Sequence, residues 1–161
     1  MQQGSKFLGG MILKKTLRLI AIFTLTALII FAAGEYIICG IFYSMEGQAF
    51  IEHQLLMFSA IMGDVFIALG LLLLLAFVNR RSDWFLDKWE RKDIVIHLLY
   101  STLLAFYFEA HALYTGRWGY SESMPLVKGT SIGLVPVLFL IILIPLIFYI
   151  TEKIYKFRYD K

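Results

Sequence analysis

Three carboxylic acids stand inside otherwise apolar runs of this 161-residue chain: Glu35, Asp64 and Glu109. An ionised carboxylate at the centre of a membrane helix costs at least about 2.5–3.5 kcal/mol, so each one needs a partner or a task. The task such acids suit is general acid–base work: protonating a lipid double bond, activating water, or relaying protons. We therefore take Glu35, Asp64 and Glu109 as candidate catalytic acids. Further useful groups stand near them at the same ends of the apolar runs, namely His53, His111, Arg117, Trp118 and Tyr120. The planar fork of Arg117 suits neutralising a carboxylate or gripping a lipid phosphate. Trp118 and Tyr120 suit a ligand wall or a belt that fixes a loop at headgroup level. These five are the candidate ligand-binding residues. The structural alternative makes the acids hydrogen-bonded glue between helices, or pairs them with Arg117 and the neighbouring tyrosines.

Glu35, Glu52, His53, Asp64, Glu109 and His111 are acceptable ligand types for zinc or iron. No His-Glu-x-x-His or Glu-x-x-His spacing is present, however. A bis-histidine haem would have to lie between His53 and His111. The expectation is no metal and no cofactor. The single Cys39 excludes an intrachain disulfide and a multi-cysteine metal site. No nucleophile triad, phosphate-binding loop or dinucleotide fingerprint is found.

The elements that must position these residues are apolar helices. The chain is 60% hydrophobic and 17% charged with a mean hydropathy of +0.75, far from the balance of a soluble domain. Four runs, at about 17–42, 54–78, 94–114 and 131–150, each supply roughly the 20 residues that cross 30 Å of hydrocarbon. Apolar residues run on without alternation, which indicates helices rather than barrel strands. Phe31-Ala32-Ala33-Gly34 imitates a signal-peptide cleavage site, but the apolar run continues through Phe42, as in an uncleaved span. The fold expected is an all-α integral membrane protein, a four-transmembrane-helix bundle forming one membrane domain over 1–161. Thirteen of the 15 Lys and Arg residues precede span one, join spans two and three, or follow span four; only Arg117 and Lys128 lie on the other side. Both termini are then expected in the cytoplasm, in the cell (inner) membrane of a bacterium or archaeon. Basic residues that flank apolar spans point to a membrane surface and not to nucleic acid.

Measured from span centres near Ile30, Phe66 and Leu104, Glu35 and Glu109 lie about 7 Å outward and Asp64 about 3 Å, at 1.5 Å per residue. Three helices thus bring an acid to similar depth, and a short-looped bundle makes one shared pocket the expected outcome. Helical phase puts His53 on one stripe with Met57, Ala60 and Asp64, and puts His97, Ser101, Leu104, Phe108 and His111 on another. Glu109 points away from His111, so the two compete for one pocket. The stretch before Met11 reads as a loose tail. The connection 79–93 reads as a short interfacial helix, or as a loop whose aromatics anchor its neighbours. The connection 115–130, with Gly116, Gly119, Pro125 and Gly129, reads as an ordered loop. Pro136 and Pro145 are expected to kink span four or open its ladder.

The order of features from Glu109 to Pro136 (an acid near a helix end, Thr115-Gly116, Trp118-Gly119-Tyr120, then Gly133-Leu134-Val135-Pro136) resembles membrane carotenoid-modifying proteins of the hydratase type. The likeness covers that stretch alone and implies a lipid-like substrate. Three functions follow from the residues: a small membrane protein that binds, and by acid–base chemistry modifies, a lipid or isoprenoid; an accessory subunit of a membrane complex; or a proton-coupled small transporter. The partners expected are membrane lipid, and further copies of the chain or a larger complex.

Overall fold

The computed structural model describes residues 2–44 and 49–159, with side chains from Lys14 onward. Four long helices dominate: α1 (Gln2–Phe42), α2 (Phe50–Asn79), α3 (Arg91–Tyr114) and α4 (Leu134–Tyr159). All four are long and apolar enough to cross a membrane, α1 over Lys14–Phe42. Ile29, Phe66, Leu73, Phe77, Leu99 and Leu103 are largely exposed around the outside, the pattern of helices that meet an apolar solvent. α1 packs on α4 and α2, and α3 packs on α4, while the contact of α2 with α3 is sparser than these three.

The elements reach further than the apolar runs. α2 starts at Phe50, so Glu52 lies in its first turn and accepts a hydrogen bond from the Ala49 amide at 3.3 Å. That acid caps a helix whose first amides have no intrahelical partner. Helical backbone begins at Gln2, so the tail expected before Met11 is helical instead. One end of the bundle carries Phe42, Phe50, Tyr114 and Leu134 and is called the acid end below. The other carries Asn79, Arg91 and Tyr159 and is called the basic end.

At the basic end the connection between α2 and α3 is a single 3-10 turn, Trp84–Leu86, with Trp84 and Phe85 buried. Of the two readings of this connection the loop with anchoring aromatics holds, since these rings turn inward around Phe148 of α4, with centroids of Trp84, Phe85 and Trp89 at 5.2, 5.2 and 5.3 Å and Phe23 at 4.7 Å. Asp93 ties the end of α2 to the start of α3, accepting from Asn79 Nδ2 at 2.8 Å and the Glu90 amide at 2.9 Å.

Asp83 joins α1 to this connection through Lys15 at 2.6 Å and Arg81 at 2.9 Å. Burial alone would raise its carboxyl, but the hydrogen bonds from Lys15 and Arg81 outweigh that and hold it below the usual range. A carboxyl held low in the folded state adds stability above its unfolded value, near 4, that is lost as pH falls through the folded one. Asp83→Asn should therefore flatten the fall in melting temperature below about pH 4. Parallel melting profiles for the two proteins would disprove the linkage.

Neither proline acts as a simple kink. Pro136 sits in the first turn of α4, where no intrahelical amide bond is due, so nothing is lost. Pro145 lies inside the helix and leaves the carbonyl of Ile141 without its ladder donor. His97 Nε2 donates to that carbonyl at 3.0 Å. Because a carbonyl only accepts, the ring proton is on Nε2, and Nδ1 accepts from Ser101 Oγ at 3.1 Å. His97, on one sequence stripe with Ser101, thus makes the inter-helix bond that replaces what Pro145 removes.

Candidate functional site: an acid chamber

α3 buries Asp93, His97, Ser101, Ala105, Glu109 and Ala112. Steps of four residues advance about 400°, so this buried line drifts roughly 40° per step around the helix. The drift brings Glu109 inward and leaves His111 exposed, stacked on Tyr107 at 6.4 Å. The competition between Glu109 and His111 is thereby decided in favour of the acid.

Glu109, 7% exposed, takes three donors. Tyr43 Oη and Trp118 Nε1 reach it at 3.1 and 3.3 Å, and Tyr120 Oη at 2.6 Å. The two tyrosines belong to two-residue strands, β1 (Tyr43–Ser44) and β2 (Gly119–Tyr120), paired antiparallel with Tyr43 opposite Tyr120. Tyr120 Oη also accepts from the Gly133 amide at 2.9 Å. Burial first, and the nearby Glu109 carboxyl second, push both phenols up, so both stay protonated donors.

The loop carrying β2 is fastened along its length. Ser121 N donates to Phe42 O at 2.9 Å, and the hydroxyls of Ser121 and Ser123 donate to Ile41 O at 3.1 and 2.7 Å. These are carbonyls that the end of α1 leaves without intrahelical donors. Gly133 stands where a Cβ would lie 2.8 Å from Met124 Sδ, so a side chain there would make the end of Met124 shift.

Beneath this loop lies a cavity of about 310 Å³ lined by Glu35, Asp64, Glu109, Cys39, Arg117 and Trp118, among others. Glu35 comes from α1, Asp64 from α2 and Glu109 from α3, so three helices deliver their acids to one space. Glu35 and Asp64 lie within hydrogen-bonding reach of each other. A hydrogen bond between two carboxyl groups requires a proton on one of them. Of the two, Glu35 and Asp64, neither is fully buried, and both line the cavity. Arg117 donates to Ser59 Oγ at 2.6 Å and lies over the Trp118 ring at 5.1 Å. Among the described residues it forms no ion pair with a carboxylate. The side between α2 and α3 is flanked by exposed Ser59 and Phe108 and by Gly63, where a Cβ would meet nothing within 4 Å.

Of the residues expected from the sequence, Glu35, Asp64, Glu109, Arg117 and Trp118 line this chamber, and Tyr120 reaches it through Glu109. His53, although on the stripe with Met57 and Asp64, lies beyond the chamber wall in the first turn of α2. His111 lies outside on the exposed face. Tyr43, Ser59, Gly63 and Cys39 are site residues that the sequence reading passed over; Tyr43 alone had a signal, as an aromatic hydroxyl closing the first apolar run. Among the described residues, no three His, Cys, Asp or Glu side chains assemble as a metal-binding set.

No family model, curated protein or solved structure matches the chain. The likeness of Glu109 to Pro136 to carotenoid hydratases thus gains no support from these comparisons.

Proposed function

We propose that the chain is a multi-pass protein of a bacterial or archaeal cell membrane, with both termini in the cytoplasm, whose chamber binds a lipid or isoprenoid and handles a proton on it. The observation that carries this reading is the Glu35–Asp64 pair standing open to a cavity that also holds Arg117. A hydrogen-bonded carboxyl pair can release its one proton to a ligand from one member and take a proton back on the other. Arg117, with Ser59 beside it, suits the anionic head of an amphiphile. The gap between α2 and α3 gives an apolar chain a sideways route from the surrounding lipid. At the basic end the hollow beside Phe148 and Trp89 is more open to the surface and is lined by Asp87, Lys88, Glu152 and Lys156 rather than by paired carboxyls, which favours a one-sided site over a transport path. Orientation rests on the excess of Lys and Arg at the basic end.

Native mass spectrometry with lipid extraction, comparing wild type with Asp64→Asn and Glu35→Gln, tests the proposal. A specific isoprenoid or phospholipid should stay with the wild type and be lost or altered in the variants. One observation favours a second reading: Glu109 already has its full set of donors, as in a purely structural acid. A stoichiometric protein partner with no bound small molecule would establish that accessory-subunit reading instead.

A further inference from the structure

We infer that Glu109 is a positioning residue: it latches the loop 115–133 as a roof over the chamber, and the acid pair beneath is reached from the side, between α2 and α3. This rests on the chamber being a ligand site, but its test needs no ligand.

Glu109 gathers donors from β1, from β2 and from the loop between α3 and β2, with Tyr120 passing the connection on to the first residues before α4. One carboxylate therefore gathers donors from segments that are also joined by the strand pair, the bonds of Ser121 and Ser123 to the end of α1, the Arg117–Ser59 bond and the contacts of the Tyr43 ring with Trp118 and Tyr120. Each Glu109 oxygen is already engaged, whereas Glu35 and Asp64 stand within hydrogen-bonding reach of each other. The acids thus divide, with one closing the roof and two left to act within.

The chain carries its own reporter. Cys39, the only cysteine, is 5% exposed and lines the chamber below the roof. In lipid nanodiscs, wild type should react at Cys39 with an uncharged maleimide arriving through lipid. A permanently charged methanethiosulfonate, confined to water, should leave it untouched. In Glu109→Ala, which removes the acceptor shared by three donors, the charged reagent should react at least about tenfold faster, the factor that losing even one hydrogen bond contributes to an opening equilibrium. Glu109→Gln should stay close to wild type, because its amide oxygen can accept from Trp118 and Tyr120 while its amide nitrogen donates to the Tyr43 hydroxyl.

If both reagents speed up together in Glu109→Ala, the fold itself has loosened. Tyr120→Phe then decides, since it removes one hydroxyl and leaves the ring: faster charged labelling supports the latch, and an unchanged rate overturns it. Glu109→Ala as protected as wild type, or Glu109→Gln as open as Glu109→Ala, also overturns it. So does a wild type that the uncharged reagent cannot reach. A negative result from lipid extraction would remove the ligand and leave these rates as they are, so the two ideas fail separately.

Discussion

Phe148→Ala should destabilise the fold by about 3–5 kcal/mol, the range for emptying a buried aromatic site. Phe148 is 1% exposed and touches Phe23 of α1 and all three rings of the segment between α2 and α3. Between helices in lipid, little is gained by transferring apolar surface, and close packing carries the association. Removing this ring takes dispersion contacts from four partners at once and leaves a void that stiff indoles fill poorly. The expected consequence is specific: Trp84 and Trp89 lose their anchor, and the connection detaches from the bundle. Denaturation in detergent micelles, followed by tryptophan fluorescence, reads both effects. A loss below about 1 kcal/mol would mean that the rings repack, as a volume-tolerant core allows.

The second large effect lies in one carbonyl. His97→Ala leaves Ile141 O with no ladder donor and no imidazole, in surroundings where an unmet polar group costs about 1–3 kcal/mol. The cavity left by the ring adds to that loss. Pro145→Ala returns an amide at the position from which the ladder reaches Ile141 O. In that background His97→Ala should therefore cost less, by about 1–3 kcal/mol, and the double-mutant cycle isolates the difference. Equal costs in the two backgrounds would show that the histidine serves some purpose other than replacing the missing donor.

Most of this architecture was legible in the residues. Four apolar runs led to four long helices, and three acids at similar depth led to one chamber, because both depend on rise per residue and loop length. What failed depended on angle and on depth along a helix. A straight 3.6-residue stripe through His97 ends at His111, whereas the buried line of α3 follows four-residue steps and ends at Glu109 and Ala112. Phase placed His53 with Asp64, but phase says nothing about where a roof closes the space above Met57. The rings of Trp84 and Phe85 looked interfacial because they lie among charges. Their partner Phe148 is more than sixty positions away on another helix, beyond what local spacing can reveal. Of the two tasks that Arg117 suits, a carboxylate or a lipid phosphate, the first is not met among the described residues: it donates to Ser59, while the tyrosines and Trp118 occupy Glu109.

The pairing of Glu35 with Asp64 also bears on the order in which the chain is made. Both acids belong to the first helical hairpin, so a chain threaded into a bilayer from its N-terminus meets its two earliest intramembrane carboxyls with each as the other's partner. Neither has to wait for the second half. Glu109 emerges later, and two of its donors, Trp118 and Tyr120, follow within the next eleven residues, while the third, Tyr43, is already in place. At each stage of synthesis the newest acid finds its hydrogen bonds in segments already made or just emerging. If the helices span a membrane as proposed, the chamber's polarity is thus built up in steps.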